Sequence, residues 1–179
     1  MIMELTPQDA RLSIHPGEWY FGNEYKSLYT ILGSCVALSV WHPTLKIGGL
    51  CHYLLPVQPG HQSDSDLRRS NSAGRYGKTA LFLMKESMLR YAALAEYQIG
   101  LFGGCDTLSN YGIGKQNILY AQHWLQDESL IVAQTDVGGT SSRSLILDMA
   151  SGAHHVKHYA IQANNPPGNL PKIPPTNKF

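Results

Sequence analysis

Tyr29-Thr30-Ile31-Leu32-Gly33-Ser34-Cys35-Val36-Ala37-Leu38-Ser39-Val40-Trp41 is the stretch on which the reading of this chain turns. β-Branched, aromatic and aliphatic residues run through it without a charge, the pattern of a buried strand. Gly33 and Ser34 interrupt it, so it is either one strand or two strands joined near Gly33. His42-Pro43 ends it, because the residue before proline is pushed out of regular pairing geometry and proline has no N–H to donate. A second apolar run, Ile47 to Leu55, is stopped by Pro56. Consecutive strands of this kind can pair, so the side chains of Cys35 on the first and His52 on the second can meet.

Upstream, His15-Pro16-Gly17-Glu18 reads as a turn and Trp19-Tyr20-Phe21 as a short strand, preceded by a loose arm over residues 1–12. Downstream, residues 57–74 are polar and turn-forming and read as a long exposed loop. Lys78 to Glu96 reads as a helix, with Leu81, Met84, Met88, Tyr91 and Ala95 at three- and four-residue steps. Ile99 to Phe102 is a short strand ending in Gly103-Gly104. A second helix runs from about Lys115 to Asp127, with Ile118, Ala121 and Leu125 on one side. Leu130 to Thr135 is a strand, and Ser144 to Met149 and His154 to Tyr159 flank Ala150-Ser151-Gly152 as a hairpin. From Ala163 onward five prolines mark an extended, poorly packed composition, so residues 163–179 are expected to be a disordered tail. The expected fold is a single α/β (α+β) domain over residues 13–162.

Composition narrows the function. The 179 residues carry 14 Lys and Arg against 13 Asp and Glu, a net charge of +1, which argues against nucleic acid as a main partner. No run approaches the ~18 apolar residues of a membrane span, so no direct membrane insertion is expected. The first residues lack the basic and apolar pattern of a secretory signal. Three cysteines without a CxxC spacing suit a reducing cytoplasm better than a disulfide framework. Cys35, Cys51, His52 and Cys105 lack metal-motif spacing, and His154, His155 and His158 sit on a polar terminal strand, so no metal and no cofactor are expected. Asp136-Val137-Gly138-Gly139 is not a phosphate loop, since no Lys-Ser/Thr pair follows.

Two residues could carry chemistry. Cys35 opens an apolar strand behind two small residues, which let a substrate backbone approach and let main-chain N–H groups face a developing oxyanion. His52 lies inside an apolar strand behind Gly48-Gly49, an odd place for a titrating side chain without a partner. Taken singly, each reads as packing; together they suggest a thiolate–imidazolium pair with the cysteine pKa brought well below its ordinary value. Cys51 points to the face opposite His52 and reads as packing. Cys105 either lines the same site or packs.

Leu32-Gly33-Ser34-Cys35-Val36-Ala37, Ile47-Gly48-Gly49 through His52, and Leu54-Leu55-Pro56 resemble the chemoreceptor glutamine deamidase family CheD. Arg75-Tyr76-Gly77, Phe102-Gly103-Gly104, Ile113-Gly114 with Asn117, and Asp136 with Gly138-Gly139 and Arg143 follow in the family's order. The resemblance implies an α/β sandwich related to a bacterial toxin deamidase, with mixed, largely antiparallel sheets packed by helices. It implies a protein-glutamine glutaminase that hydrolyses selected glutamine side chains on methyl-accepting chemotaxis receptors to glutamate and ammonia. Carried over, Cys35 is the nucleophile, His52 the base and Thr30 the third triad member, with Tyr29 the alternative one residue earlier. Ser34, Gly103 and Gly104 are the implied oxyanion and substrate-binding positions. The implied partners are receptor cytoplasmic helices and, in some members, the phosphatase CheC. The alternative reading is a chemotaxis adaptor that binds CheC or receptors without significant catalysis.

Overall fold

A computed structural model describes residues 10–60, 63, 65, 74–107 and 111–161. Within them the elements run β1 (Arg11–Ser13), β2 (Trp19–Gly22), β3 (Ser27–Leu32), β4 (Val36–His42), β5 (Ile47–Tyr53), α1 (Gly77–Leu89), β6 (Gln98–Gly103), α2 (Ile113–Asp127), β7 (Val132–Val137), β8 (Ser141–Asp148) and β9 (His154–Ala160). The strands form a five-stranded sheet, β2-β5-β4-β6-β7, and a four-stranded sheet, β1-β3-β8-β9. Pairing is parallel in β6–β7 and β1–β3 and antiparallel elsewhere. This is the α/β architecture expected from the sequence.

Residues 29–41 are two strands, and they belong to different sheets. The Gly33-Ser34-Cys35 segment is the crossing between them. Beyond it, every residue of β4 is buried. Alternate side chains then serve two cores. Val36, Leu38 and Val40, with Cys51 and Tyr53 of β5, pack against Leu81, Met84 and Met88 of α1 and Ala121 and Leu125 of α2. Ala37 and Trp41, with Leu50 and Phe102, pack against Leu28, Leu32, Leu145 and Leu147 of the four-stranded sheet. The layers are therefore helices, five-stranded sheet and four-stranded sheet. At ~1.5–3 kcal/mol for each fully buried large aliphatic side chain, these two cores hold the crossing segment in place.

Some boundaries differ from the sequence reading. The first helix stops at Leu89, and a short 3₁₀ turn, Leu94–Glu96, follows. Leu81, Met84 and Met88 of the expected apolar face are buried, but Tyr91 is 58% exposed. The chain turns instead so that Tyr97 enters the core, where its hydroxyl donates at 2.9 Å to the Met88 carbonyl, which also accepts from the Tyr91 and Ala92 N–H groups. Arg11 and Leu12, at the end of the expected arm, are paired in β1. Residues 1–9, much of the expected 57–74 loop and all of the 163–179 tail lie outside the described residues.

Candidate active site

The crossing from β3 to β4 is held from behind at each of its three carbonyls. Gly33 O accepts from the Cys105 N–H at 2.9 Å, and Cys35 O accepts from the Gly104 N–H at 2.7 Å. Ser34 O accepts from Asn117 Nδ2 at 3.0 Å. Asn117 is fully buried on α2 and also donates to Leu54 O at 2.8 Å, so one side chain ties the crossing to the exit of β5. The C=O and N–H of a trans peptide point in opposite directions. The N–H groups of Ser34 and Cys35 therefore face away from these holders. On the front side lies a cavity of about 280 Å³ whose lining includes Thr30, Gly33, Ser34, Cys35 and His52.

His52 reaches this cavity by strand alternation. It pairs with Ala37 of β4 and lies on the side of β5 that faces the four-stranded sheet. Neighbouring Cys51 points the other way, fully buried in the helix-side core, as expected. The His52 main chain is fixed by the segment before β2, donating to Glu18 O at 3.0 Å and accepting from the Gly17 N–H at 2.8 Å.

Thr30 comes from β3 and is 2% exposed. Its Oγ1 donates to Ile14 O at 2.7 Å and lies 2.8 Å from His52 Nδ1. A hydroxyl has one proton to give. With that proton on the Ile14 carbonyl, the second contact requires Nδ1–H to donate to Thr30, which places the imidazole lone pair on Nε2. His52 Nε2 is buried and has no hydrogen-bond partner among the described residues. It is therefore an unpartnered basic nitrogen in the interior. Tyr29 makes no such bond; its ring lies beneath the Arg11 guanidinium instead. Between the two candidates for the third position, the hydroxyl on the imidazole is that of Thr30.

The electrostatics overturn one expectation. Burial pushes the Cys35 thiol up to about 11, with Cys105 adding and its own main-chain N–H opposing. Burial pulls His52 down to about 4, with the Ile14 carbonyl opposing and His15 adding. Both groups are neutral near pH 7, so the resting site is thiol and imidazole, not a thiolate–imidazolium pair. The reason is desolvation: a cavity walled by two apolar cores penalises both charges, and no hydrogen bond joins the pair to offset it.

Gly103 and Gly104 also depart from their expected role. Neither lines the cavity. Gly104 uses its N–H on Cys35 O, so that donor is not available to an oxyanion. Gly103 has φ +101°, and a Cβ there would overlap the Cys35 carbonyl oxygen. The two glycines allow β6 to approach the crossing closely. Cys105 likewise stands behind the crossing and outside the cavity lining. Among the described residues no group of three or more His, Cys, Asp or Glu is placed to hold a metal ion.

Two residues whose roles the sequence did not reveal complete the support. Asn117 is one. Arg143 is the other, 1% exposed on β8 and hydrogen-bonded to the Asp136 carboxylate, to Asp136 O at 2.5 Å, to Gly138 O, and to Ser141 O at 3.3 Å. The loop it grips is laced to the crossing's holders, with Gly138 N donating to Gly103 O at 2.9 Å and Asp106 N to Gly139 O at 2.8 Å. Asn117→Leu is expected to cost about 2–3 kcal/mol, because it leaves two buried carbonyls unpaired. Urea unfolding checks this; a loss under about half a kcal/mol would show that Asn117 does not hold the crossing.

A thiol, an imidazole with one nitrogen free and a hydroxyl that sets its tautomer, gathered where two sheets of an α/β sandwich meet, are the parts of a cysteine-dependent acyl-transfer site. The family described as CheD chemotactic sensory transduction matches residues 54–158. The probable chemoreceptor glutamine deamidase CheD 1 of Chromobacterium violaceum is 34% identical over 158 residues, 84% of this chain and 79% of that one. The corresponding protein of Pseudomonas syringae pv. tomato is 33% identical over 155 residues, 82% of this chain and 88% of its own. CheD 3 of Dechloromonas aromatica is 34% identical over 163 residues, 84% of this chain and 89% of its own. The chain belongs to the CheD family. These likenesses are too long to fit after residue 54, so they reach back into β4 and β5. Among the described residues no helix is long and apolar enough to cross a membrane.

Proposed function

We propose that the protein hydrolyses glutamine side-chain amides on chemoreceptors to glutamate and ammonia, acting from the cytoplasm. The observation that carries this reading is the Thr30–His52 hydrogen bond, which leaves Nε2 free in the cavity that Cys35 lines. A substrate amide filling the cavity brings its carbonyl carbon to Cys35 Sγ. His52 Nε2 takes the thiol proton as the sulfur attacks, so charge appears only when the oxyanion forms to balance it. The Ser34 and Cys35 N–H groups face that oxyanion. The proton on Nε2 passes to the departing nitrogen, the C–N bond breaks and ammonia leaves a thioester on Cys35. Water then gives a proton to Nε2 and its oxygen to the acyl carbon, and the thiol leaves with that proton. Thr30 acts throughout as the acceptor that keeps the ring proton on Nδ1. A CheC-type phosphatase is the second partner in this reading, supported by family membership alone.

Ammonia release from a receptor cytoplasmic fragment tests the reading, and its pH profile tests the mechanism. A protonated His52 cannot accept the thiol proton, so kcat/KM is expected to fall as pH drops through about 4 and to stay flat through neutrality. A limb near the ordinary histidine value of about 6.5 would contradict it. Stability follows the same group. The folded pKa lies below the unfolded one, so between about pH 6.5 and 4 the unfolded chain binds more protons. The stabilisation is complete above that window and is lost as pH falls through it.

A further inference from the structure

The four-stranded sheet has one face on the core and one that no described element covers, since both helices pack on the five-stranded sheet. Alternation sends Leu28, Thr30 and Leu32 of β3 inward and Ser27, Tyr29 and Ile31 outward. The register carries the outward rows across the sheet. Tyr29 pairs with Ile146 and Ile146 with His155; Ile31 pairs with Ser144 and Ser144 with Lys157. Tyr159 is on the same side, its hydroxyl 3.4 Å from Ser144 Oγ. The outer face thus has an apolar centre of Tyr29, Ile31, Ile146 and Tyr159.

Its rim is basic. Arg11 lies 5.6 Å from the centroid of the Tyr29 ring and Lys157 lies 5.4 Å from that of Tyr159, so each cation rests on a tyrosine of the same face. Lys26 and His155 join Arg11 around a depression on this face. Asp148 is the only carboxylate among the outward residues of these four strands. Its Oδ1 is taken by the N–H groups of Ala150 and Ser151 and by the Ser151 hydroxyl. The face is also continuous with the candidate active site, because Tyr29 and Ile31 line the cavity of Cys35.

We propose that this face docks the substrate as a helical segment carrying acidic residues on the same side as its target glutamine. The glutamine enters the cavity beside Tyr29, the apolar side of the helix crosses Tyr29 and Ile146, and carboxylates meet Arg11 and Lys157. The spacing fits. The Ser27 row lies ~7 Å from the Tyr29 row at ~3.3 Å per residue. A helix rises ~1.5 Å per residue, so a carboxylate one to two turns from the glutamine reaches the rim.

The proposal rests on the deamidase reading for its substrate, and the test separates the two. Binding of a receptor cytoplasmic fragment is measured at low salt with Cys35→Ala, with Cys35→Ala/Lys157→Glu, and with Cys35→Ala/Arg11→Glu/Lys157→Glu. Each charge reversal is expected to weaken binding, the triple variant by about tenfold or more, with the effect shrinking as salt rises. In the Cys35-containing protein, the same reversals should raise KM on the fragment and leave hydrolysis of a small uncharged glutamine peptide unchanged. Replacing the fragment's flanking glutamates by lysine should restore binding to the reversed variants. Unchanged fragment binding at low salt would overturn the docking surface and leave the face to residues 162–179 or to a second copy of the chain. Weakened binding without any amide hydrolysis by the wild type would keep the surface and overturn the deamidase reading.

Discussion

Cys35→Ala and His52→Ala are each expected to reduce amide hydrolysis by about 10³-fold or more, and the double variant to lose no more than the worse of the two. Residues that act as one unit in acyl transfer are grossly non-additive, because removing either leaves the other with nothing to do. Here the thiol is neutral at rest, with a pKa raised to about 11, so its thiolate is scarce without a base to take the proton. His52 Nε2 is the unpartnered base that the cavity supplies. Thr30→Val should lose less, roughly 10–100-fold, since it frees the ring to change tautomer without removing the base. Thr30→Ser should restore much of that loss, because the hydroxyl can again donate to Ile14 O and accept from Nδ1. Losses for Cys35 and His52 that multiply in the double variant would mean the two act independently. Fragment hydrolysis under saturating and limiting substrate gives the values for all five variants.

Arg143→Met is expected to destabilise the fold by about 3–5 kcal/mol, a large share of a domain's net stability. Its guanidinium is buried and holds the Asp136 carboxylate and three main-chain carbonyls. Methionine fills similar space but donates nothing, so those acceptors stay buried and unpaired. Asp136 would keep only His158, whose Nε2 is 2.9 Å from the other carboxylate oxygen. The 136–141 loop backs Gly103, and Gly103 backs Cys35, so activity should fall at temperatures where the protein is still folded. Urea titration and residual activity measure the two effects. A change in stability under about 1 kcal/mol would show that Arg143 is not what holds this loop.

The pairing of β4 with β5 was legible because uncharged, β-rich runs bounded by proline admit few alternatives. That pairing is what brings Cys35 and His52 to one cavity. The break at Gly33 was legible too, but not its meaning: a glycine between two apolar runs reads the same whether one sheet continues or two sheets meet. Only the long-range pairing of β3 with β8 decides it. The choice of Thr30 over Tyr29 was within reach, since alternation places Thr30 with Leu28 and Leu32 on the inward side. Charge state was not, because it depends on burial contributed by segments far apart in sequence. The resting ion pair failed for that reason. Gly103-Gly104 signalled close approach correctly, yet a glycine does not say what approaches it, and here it is the Cys35 carbonyl. Asn117 within an apolar helix face and Arg143 within an apolar strand were visible as polar residues due for burial. What they hold became clear only from their partners.

The central claim is that the Cys35 thiol, deprotonated in place by His52, is the nucleophile for a glutamine side chain. Peptide mass spectrometry of a receptor cytoplasmic fragment incubated with wild-type protein or with Cys35→Ala tests it most directly. Conversion of specific glutamines to glutamate by the wild type and none by the variant is the predicted result. Equal conversion by Cys35→Ala, or an unmodified fragment after incubation with the folded wild-type protein, would contradict it.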